Sequence, residues 1–148
     1  MGIQQALTQK IKEAMKTKDS VALAALRALK SAFMLANTAG GGELTDQEEL
    51  KIVQKQVKQR KDSATVFNEQ GRTDLADSEL AEAVVLEQFL PEALSEEEIE
   101  KLVTTIIANT GAEGMKDMGK VMGIASKQLA GQADGKTISA IVKNKLLN

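Results

Sequence analysis

The chain has 148 residues, 43% of them hydrophobic but only 2% aromatic, and its 19 basic and 21 acidic side chains leave a net charge of −2. A core without Trp or Tyr must be aliphatic, which favours helices, because strands prefer aromatic and β-branched residues. Cys and His are both absent. Their absence excludes disulfides, nucleophile pairs based on Cys or His, and most zinc, iron and copper sites.

The compartment is predicted from what the chain lacks. No apolar stretch approaches the ~20 residues that a membrane-spanning helix needs. Residues 1–5 do not place a charged segment before an apolar one, as a secretory signal would. These observations predict a cytoplasmic protein that has no membrane partner.

Two helices are predicted before residue 40. Apolar residues recur at helical spacing over 3–15 and give the first amphipathic helix. Asp19 can cap the second, whose broad apolar face over 21–33 is typical of a helix buried on more than one side. Glycines 40–42 then interrupt the chain.

A helical hairpin is predicted next. Thr45 and Glu48 form the pattern of a capping box, which opens a long third helix that ends at Gly71. A fourth helix starts near Thr73 and extends to about Phe89.

Pro91 marks the clearest boundary, because proline disfavours helix at the residue before it. A second capping box, Ser95 with Glu98, follows at once and opens a helix that ends at Gly111. Two shorter helices over about 117–129 and 137–147 complete the chain. We therefore predict an all-α fold, with a four-helix N-terminal domain at 1–92 and a small three-helix C-terminal domain at 93–148.

One segment, residues 131–137, ends like a phosphate-binding loop. It has one residue too few between its glycines and follows a predicted helix, where such a loop follows a strand. We interpret it as a turn between helices in which Thr137 is the cap. No cofactor is predicted.

Acidic residues crowd the middle of the chain, where ten acids accompany one base between positions 72 and 100. Paired carboxylates could perform acid-base chemistry or hold Mg²⁺. The interpretation we favour places most of them on solvated faces or in first helical turns, where the helix dipole favours acids. Neither a metal site nor a catalytic residue is predicted.

The third helix carries the complementary charge. Five bases and no acid lie between positions 51 and 61: Lys51, Lys55, Lys58, Arg60 and Lys61. The first three follow i, i+4, i+7 and share one face, whereas Arg60 lies towards the buried side. Two hypotheses follow, a charge match with the acids of the fourth helix or a ridge that tracks phosphates and is extended by Arg72.

The C-terminal part is mildly basic, with seven Lys against three acids from position 101 onward. Without Trp, Tyr or His, base stacking is nearly excluded, so any RNA contact would be to phosphates and backbone shape. No DNA partner is expected.

Taken together, these segments resemble the YqeY-like proteins, which are related to the C-terminal tail domain of the B subunit of the glutamine-dependent Asp/Glu tRNA amidotransferase. The resemblance covers nearly the whole chain in order. It rests on residues 58–63 (KQRKDS), 71–75 (GRTDL), 116–122 (KDMGKVM) and 133–136 (ADGK), and on residues 14–16, 26–30, 90–91 and 111–112.

The resemblance implies a helical N-terminal part and a three-helix C-terminal part. In the amidotransferase the tail domain helps to hold tRNA while other modules perform the ATP-dependent chemistry. The implied partner is tRNA or another structured RNA, with a tRNA-modifying or aminoacylation enzyme as a further partner. Together, the ridge and the resemblance make nine residues candidates for RNA contact: Lys51, Lys55, Lys58, Arg60, Lys61, Arg72, Lys116, Lys120 and Lys136.

Three functions are therefore open. The first is a tRNA-binding or tRNA-enzyme accessory module without catalysis of its own. The second is an adaptor whose C-terminal part docks on a translation-related enzyme. The third is a component of a glutamine-dependent carbon-nitrogen ligase, the activity with which the family is associated. We expect no such activity from this chain alone, because it has no Cys, no evident amidase signature and no ATP loop.

Overall fold

The computed structural model describes residues 2–148, which form seven α-helices and one short 3-10 turn and contain no β-strand. The all-α prediction is confirmed. The first four helices are α1 (Ile3–Thr17), α2 (Ser20–Ala39), α3 (Asp46–Glu69) and α4 (Thr73–Glu87). After Pro91 come α5 (Glu96–Thr110), the 3-10 turn (Met115–Asp117), α6 (Met118–Gln128) and α7 (Gly135–Leu147).

The chain divides into two compact units, Met1–Leu90 and Pro91–Asn148. Each has its own cluster of buried apolar side chains. That residues 1–92 and 93–148 act as separate domains stays a prediction.

The first unit is built around the α3–α4 hairpin, the most extensive helix pair in the chain. Gly71 makes the tight turn between the two helices with φ +74°, a conformation that glycine adopts at no steric cost. Leu29 and Phe33 of α2, Val53 of α3 and Leu86 of α4 pack in one buried cluster. The core-facing sides of α3 and α4 are thereby fixed, and their opposite sides are left to solvent.

Both capping boxes are confirmed. At the start of α3 the Thr45 hydroxyl accepts the Glu48 N–H at 3.2 Å, and the Glu48 carboxylate accepts the Thr45 N–H at 2.8 Å. Ser95 and Glu98 make the same pair of bonds at the start of α5. These short-range patterns satisfy N–H groups that a helix terminus leaves without partners, which is why sequence alone locates the two starts.

The cap of α7 differs from the prediction. Asp134, not Thr137, is the cap, and its carboxylate accepts the Thr137 N–H at 2.7 Å. The helix therefore starts at Gly135, two residues before the predicted start. Asp is the stronger capping residue, so it takes the position ahead of Thr. The segment 131–137 joins α6 to α7 and follows a helix.

The second unit packs α5, α6 and α7 around an aliphatic core that includes Val103, Val121, Leu129 and Val142. Gly111 ends α5 in the left-handed conformation, with φ +66°. The unit contains no buried charged side chain, so its lysines are all available at its surface.

Candidate nucleic-acid interface

Three lysines form an exposed row along α3. Lys51, Lys55 and Lys58, here named the α3 ridge, all lie at the surface, whereas Val53 and Val57 of the same helix are buried. Lys51 and Lys58 are seven positions apart, or about 10 Å at the helical rise of about 1.5 Å per residue. The predicted sharing of one face by these three lysines is therefore observed.

The members of the α3 ridge differ in their partners. Lys58 pairs with Asp62 one turn later, Nζ to Oδ2 at 3.1 Å, but both side chains are more than 60% exposed. Such an exposed pair contributes at most about 1 kcal/mol and yields readily to a competing anion. Lys51 and Lys55 make no ion pair within residues 2–148. They are the strongest anion-binding candidates of α3.

Arg60 lies on the inner side of the same helix. Its Nη1 donates to the backbone carbonyl and to the side-chain oxygen of Gln56, at 3.2 and 2.9 Å. Its Nε is buried without a hydrogen-bond partner. Burial raises the pKa of the Glu82 carboxyl on α4, and the charge of Arg60 opposes that rise while Glu79 adds to it. Arg60 thus serves the contact between α3 and α4.

Two further candidates are held by acids. Lys61 of α3 pairs with Glu87 of α4, Nζ to Oε1 at 2.9 Å. Arg72 grips Asp74 with two nitrogens, each at 3.2 Å, and these bonds hold the pKa of the Asp74 carboxyl below its usual range. A charge match between the third and fourth helices is therefore observed as one ion pair, Lys61 with Glu87, and it does not involve the α3 ridge.

The candidates of the second unit lie on three different elements. Lys116 lies in the 3-10 turn, Lys120 in the first turn of α6 and Lys136 in the first turn of α7. All three are exposed, and none of them pairs with an acid in the described part of the chain. Lys136 lies at the positive end of the α7 dipole, where a positive charge is disfavoured unless an anion binds to it.

Beside Lys120, two glycines leave the backbone of α6 open. Gly119 and Gly123 are exposed, and a Cβ added to either would meet nothing within 4 Å. Their spacing of four favours a close approach of two helices, and within residues 2–148 no helix makes that approach. Gly123, in the interior of α6, costs about 1 kcal/mol relative to Ala.

Several acidic residues lie in the first turns of two helices. Within residues 2–148, no three Asp or Glu side chains converge as a metal site would require. Asp46, Glu48 and Glu49 lie in the first turn of α3, and Glu96, Glu97 and Glu98 in that of α5.

Among the helices described, none is both long enough and apolar enough to cross a membrane.

One buried acid was not predicted. Glu49 is the single buried charged side chain among the described residues, and its carboxylate accepts a hydrogen bond from Gln4 at 3.0 Å. Gln4 in turn accepts one from Asn37 at 3.2 Å. The contact ties α1 and α2 to the start of α3. No local pattern could reveal it, because its members are 33 and 45 positions apart.

The chain belongs to the YqeY-like family. The sequence model described as Yqey-like protein matches residues 4–146, nearly the whole chain. This confirms the resemblance drawn from the residues.

Individual relatives add detail. The chain is 30% identical over 125 residues to Altered inheritance of mitochondria protein 41, mitochondrial, from Pyrenophora tritici-repentis, a match covering 83% of this chain and 68% of that protein. It is 38% identical to the protein of the same name from Clavispora lusitaniae, over 62% of this chain and 55% of the relative. The chain thus spans between half and about two thirds of these two relatives.

A third relative points to translation. The chain is 40% identical over 57 residues to the E subunit of the glutamyl-tRNA(Gln) amidotransferase from Thermococcus gammatolerans. The match covers 36% of this chain and 9% of that relative. It supports the expected relation to an amidotransferase, and with the family it fits a translation-related accessory role.

The prediction of a cytoplasmic protein is contradicted, since the two fungal relatives are named as mitochondrial proteins. The prediction failed because it rested on an absent signal and an absent membrane span. Neither absence distinguishes a cytoplasmic location from a mitochondrial one.

Proposed function

We propose that this protein is an accessory module that binds tRNA or another structured RNA through its phosphate backbone and has no catalytic activity of its own. The observation that carries the proposal is the pair Lys51 and Lys55. Both are exposed on the side of α3 away from the core, one turn apart, and within residues 2–148 neither of them forms an ion pair with an acid. Lysines left in this state are suited to replace the counterions of a phosphate backbone.

The interactions of the other bases refine the set. Lys58 extends the contact because its exposed pair with Asp62 is weak. Arg60, Lys61 and Arg72 are secondary, because each already interacts with an acid or amide of the chain. A second contact area is provided by Lys116, Lys120 and Lys136. Beside Lys120, the open backbone at Gly119 and Gly123 permits an RNA strand to approach closely.

The aromatic residues favour structured RNA over single strands. Of the three Phe, Phe33 is buried and Phe67 and Phe89 are half-buried, so none offers a free ring on which a base could stack. Without stacking, single-stranded RNA loses about 1–3 kcal/mol per base of the usual interaction. A folded RNA presents its phosphates in a fixed array and depends less on stacking.

The experiment is a salt titration of tRNA binding, followed by fluorescence anisotropy. If Z phosphates are neutralised, the logarithm of the binding constant should fall against the logarithm of salt with a slope of about −0.7Z to −0.9Z. An unstructured oligouridylate of the same length is the comparison and should bind more weakly than tRNA. Undetectable binding, or binding to tRNA that does not respond to salt, would overturn the proposal.

A further inference from the structure

The outer side of α4 carries exposed apolar residues next to an acidic one. Leu80 and Val84 are 41% and 67% exposed, and Ala81 and Asp77 beside them are also exposed. These four residues, here named the α4 outer face, follow i, i+3, i+4, i+7 and therefore form one stripe along the helix. A single exposed apolar residue needs no explanation, but a contiguous stripe of this spacing is typical of a surface that receives a helix.

The core of the unit does not use this stripe. Ala76, Ala83 and Leu86 make the buried side of α4, and Val85 packs against the same cluster. The helix is thus apolar on two sides while its own chain covers one. A helix normally has one apolar stripe that faces its own core, so a second stripe that the core does not cover is available to a partner.

Charge indicates what would cover it. The helix carries five acids, Asp74, Asp77, Glu79, Glu82 and Glu87, and no base. Asp74 pairs with Arg72, and Glu87 pairs with Lys61. The positive charge of Arg60 acts to lower the pKa of Glu82. Asp77 makes no ion pair within residues 2–148 and lies on the stripe itself. The face therefore repels phosphate and attracts a base.

We propose that the α4 outer face docks one helix of a partner protein, with an apolar stripe at i, i+3, i+4, i+7 flanked by Lys or Arg. The apolar stripe covers Leu80, Ala81 and Val84, and a flanking base pairs with Asp77. A second copy of this chain fits less well. With a twofold axis at Leu80 and Ala81, Asp77 would lie against Val84 of the other copy, a costly burial of a charge without a partner.

The test uses the full chain and a labelled synthetic helix of about five turns, or 18 residues, with Leu at the stripe positions and Lys on both flanks. A peptide with Glu in place of every Lys is the matched probe. We expect the Lys peptide to bind and the Glu peptide to bind at least about tenfold more weakly, a difference of about 1.4 kcal/mol.

Variants separate docking from general attraction. Val84→Asp adds a negative charge, so nonspecific attraction of the Lys peptide would strengthen, whereas docking should weaken at least about tenfold. Leu35→Asp on α2 is the matched control, since Leu35 is 71% exposed and lies outside the stripe; it should leave binding unchanged. Asp77→Lys should shift preference towards the Glu peptide. Circular dichroism checks that each variant is folded.

Three results would overturn the proposal. The first is equal binding of both peptides, and the second is Lys-peptide binding that Val84→Asp leaves intact. The third is a dimer in sedimentation equilibrium that Val84→Asp dissociates, which would show that a second copy covers the face. None of the variants alters a residue of the α3 ridge, so the result is independent of whether the chain binds RNA.

Discussion

The two helices of the α3–α4 hairpin share one core, but the outer surface of α3 is basic and that of α4 is apolar and acidic. On α3 the outward residues include Lys51 and Lys55, which are exposed and have no acid partner within residues 2–148. On α4 they are Leu80, Ala81 and Val84, beside the unpaired Asp77. The charges near the contact between the helices interact with one another, since Lys61 pairs with Glu87 and the charge of Arg60 opposes the rise in the pKa of Glu82. Charge near the contact between the helices is thus matched within the hairpin, whereas Lys51, Lys55 and Asp77 on the outer sides have no ion-pair partner within residues 2–148.

The largest expected effect comes from the shared core. Leu86 is fully buried, whereas Val84 on the same helix is 67% exposed. Leu86→Ala removes buried methyl groups and leaves a cavity, so the free energy of unfolding should fall by about 2–5 kcal/mol. Val84→Ala should change it by no more than about 0.5 kcal/mol. Urea unfolding of both variants checks this, and similar losses would contradict the assigned inner and outer sides of α4.

The next largest effect on stability is expected at the first residues of α3 and α4. Thr45 caps α3 with its side chain, whereas Arg72 at the start of α4 makes no capping bond. Thr45→Ala should therefore destabilise the chain by about 1 kcal/mol. Arg72→Ala should cost much less, because it loses only an exposed ion pair. Thermal unfolding of the two variants measures the contrast, and an equal loss would speak against the capping box as a source of stability.

The ion pair between the helices should show a small, specific coupling. A double-mutant cycle on Lys61→Ala and Glu87→Ala should give about 0.2–1 kcal/mol, since both side chains are about half exposed. The same cycle with Lys51→Ala in place of Lys61→Ala should give none. Coupling between Lys51 and Glu87 as large as that of Lys61 would contradict the division between matched and free charges.

The smallest effect is a dependence on pH. Burial raises the pKa of Glu82 above its ordinary value of 4.5, so the folded state binds the proton more tightly than the unfolded state does. The stability that this residue contributes is present below pH 4.5 and is lost as pH rises through the raised folded-state pKa. The free energy of unfolding of Glu82→Gln minus that of the native chain should therefore grow between pH 4.5 and pH 7. A difference that shrinks over this range would show the opposite shift.

Much of the fold follows from short-range signals. The caps at Asp19, Thr45 and Ser95 and the breaks at Gly71 and Gly111 all lie where the sequence predicts them. Each depends only on residues within a few positions, so one sequence is sufficient. The predicted cap of α7 was wrong because two capping residues, Asp134 and Thr137, compete in one turn.

The candidate interface could be predicted only in part. Helical spacing places Lys51, Lys55 and Lys58 on one face, but it does not show which lysine has a partner. The pairing of Lys61 with Glu87 depends on the register of the hairpin, a long-range property. The exposure of the α4 outer face could not be predicted, because its apolar residues suit a core equally well. Its signal was present in the spacing of Leu80, Ala81 and Val84.

The central claim is that Lys51 and Lys55 neutralise RNA phosphates, and the salt dependence of tRNA binding tests it most directly. Lys51→Ala with Lys55→Ala should make the log-log slope shallower by about 1.4–1.8, which corresponds to two lost phosphate contacts. Lys10→Ala with Lys12→Ala, on α1, removes the same charge and should leave the slope unchanged. If the double variant at Lys51 and Lys55 keeps the slope of the native chain, the α3 ridge is not the RNA-binding surface. The same conclusion follows if both double variants make the slope equally shallower.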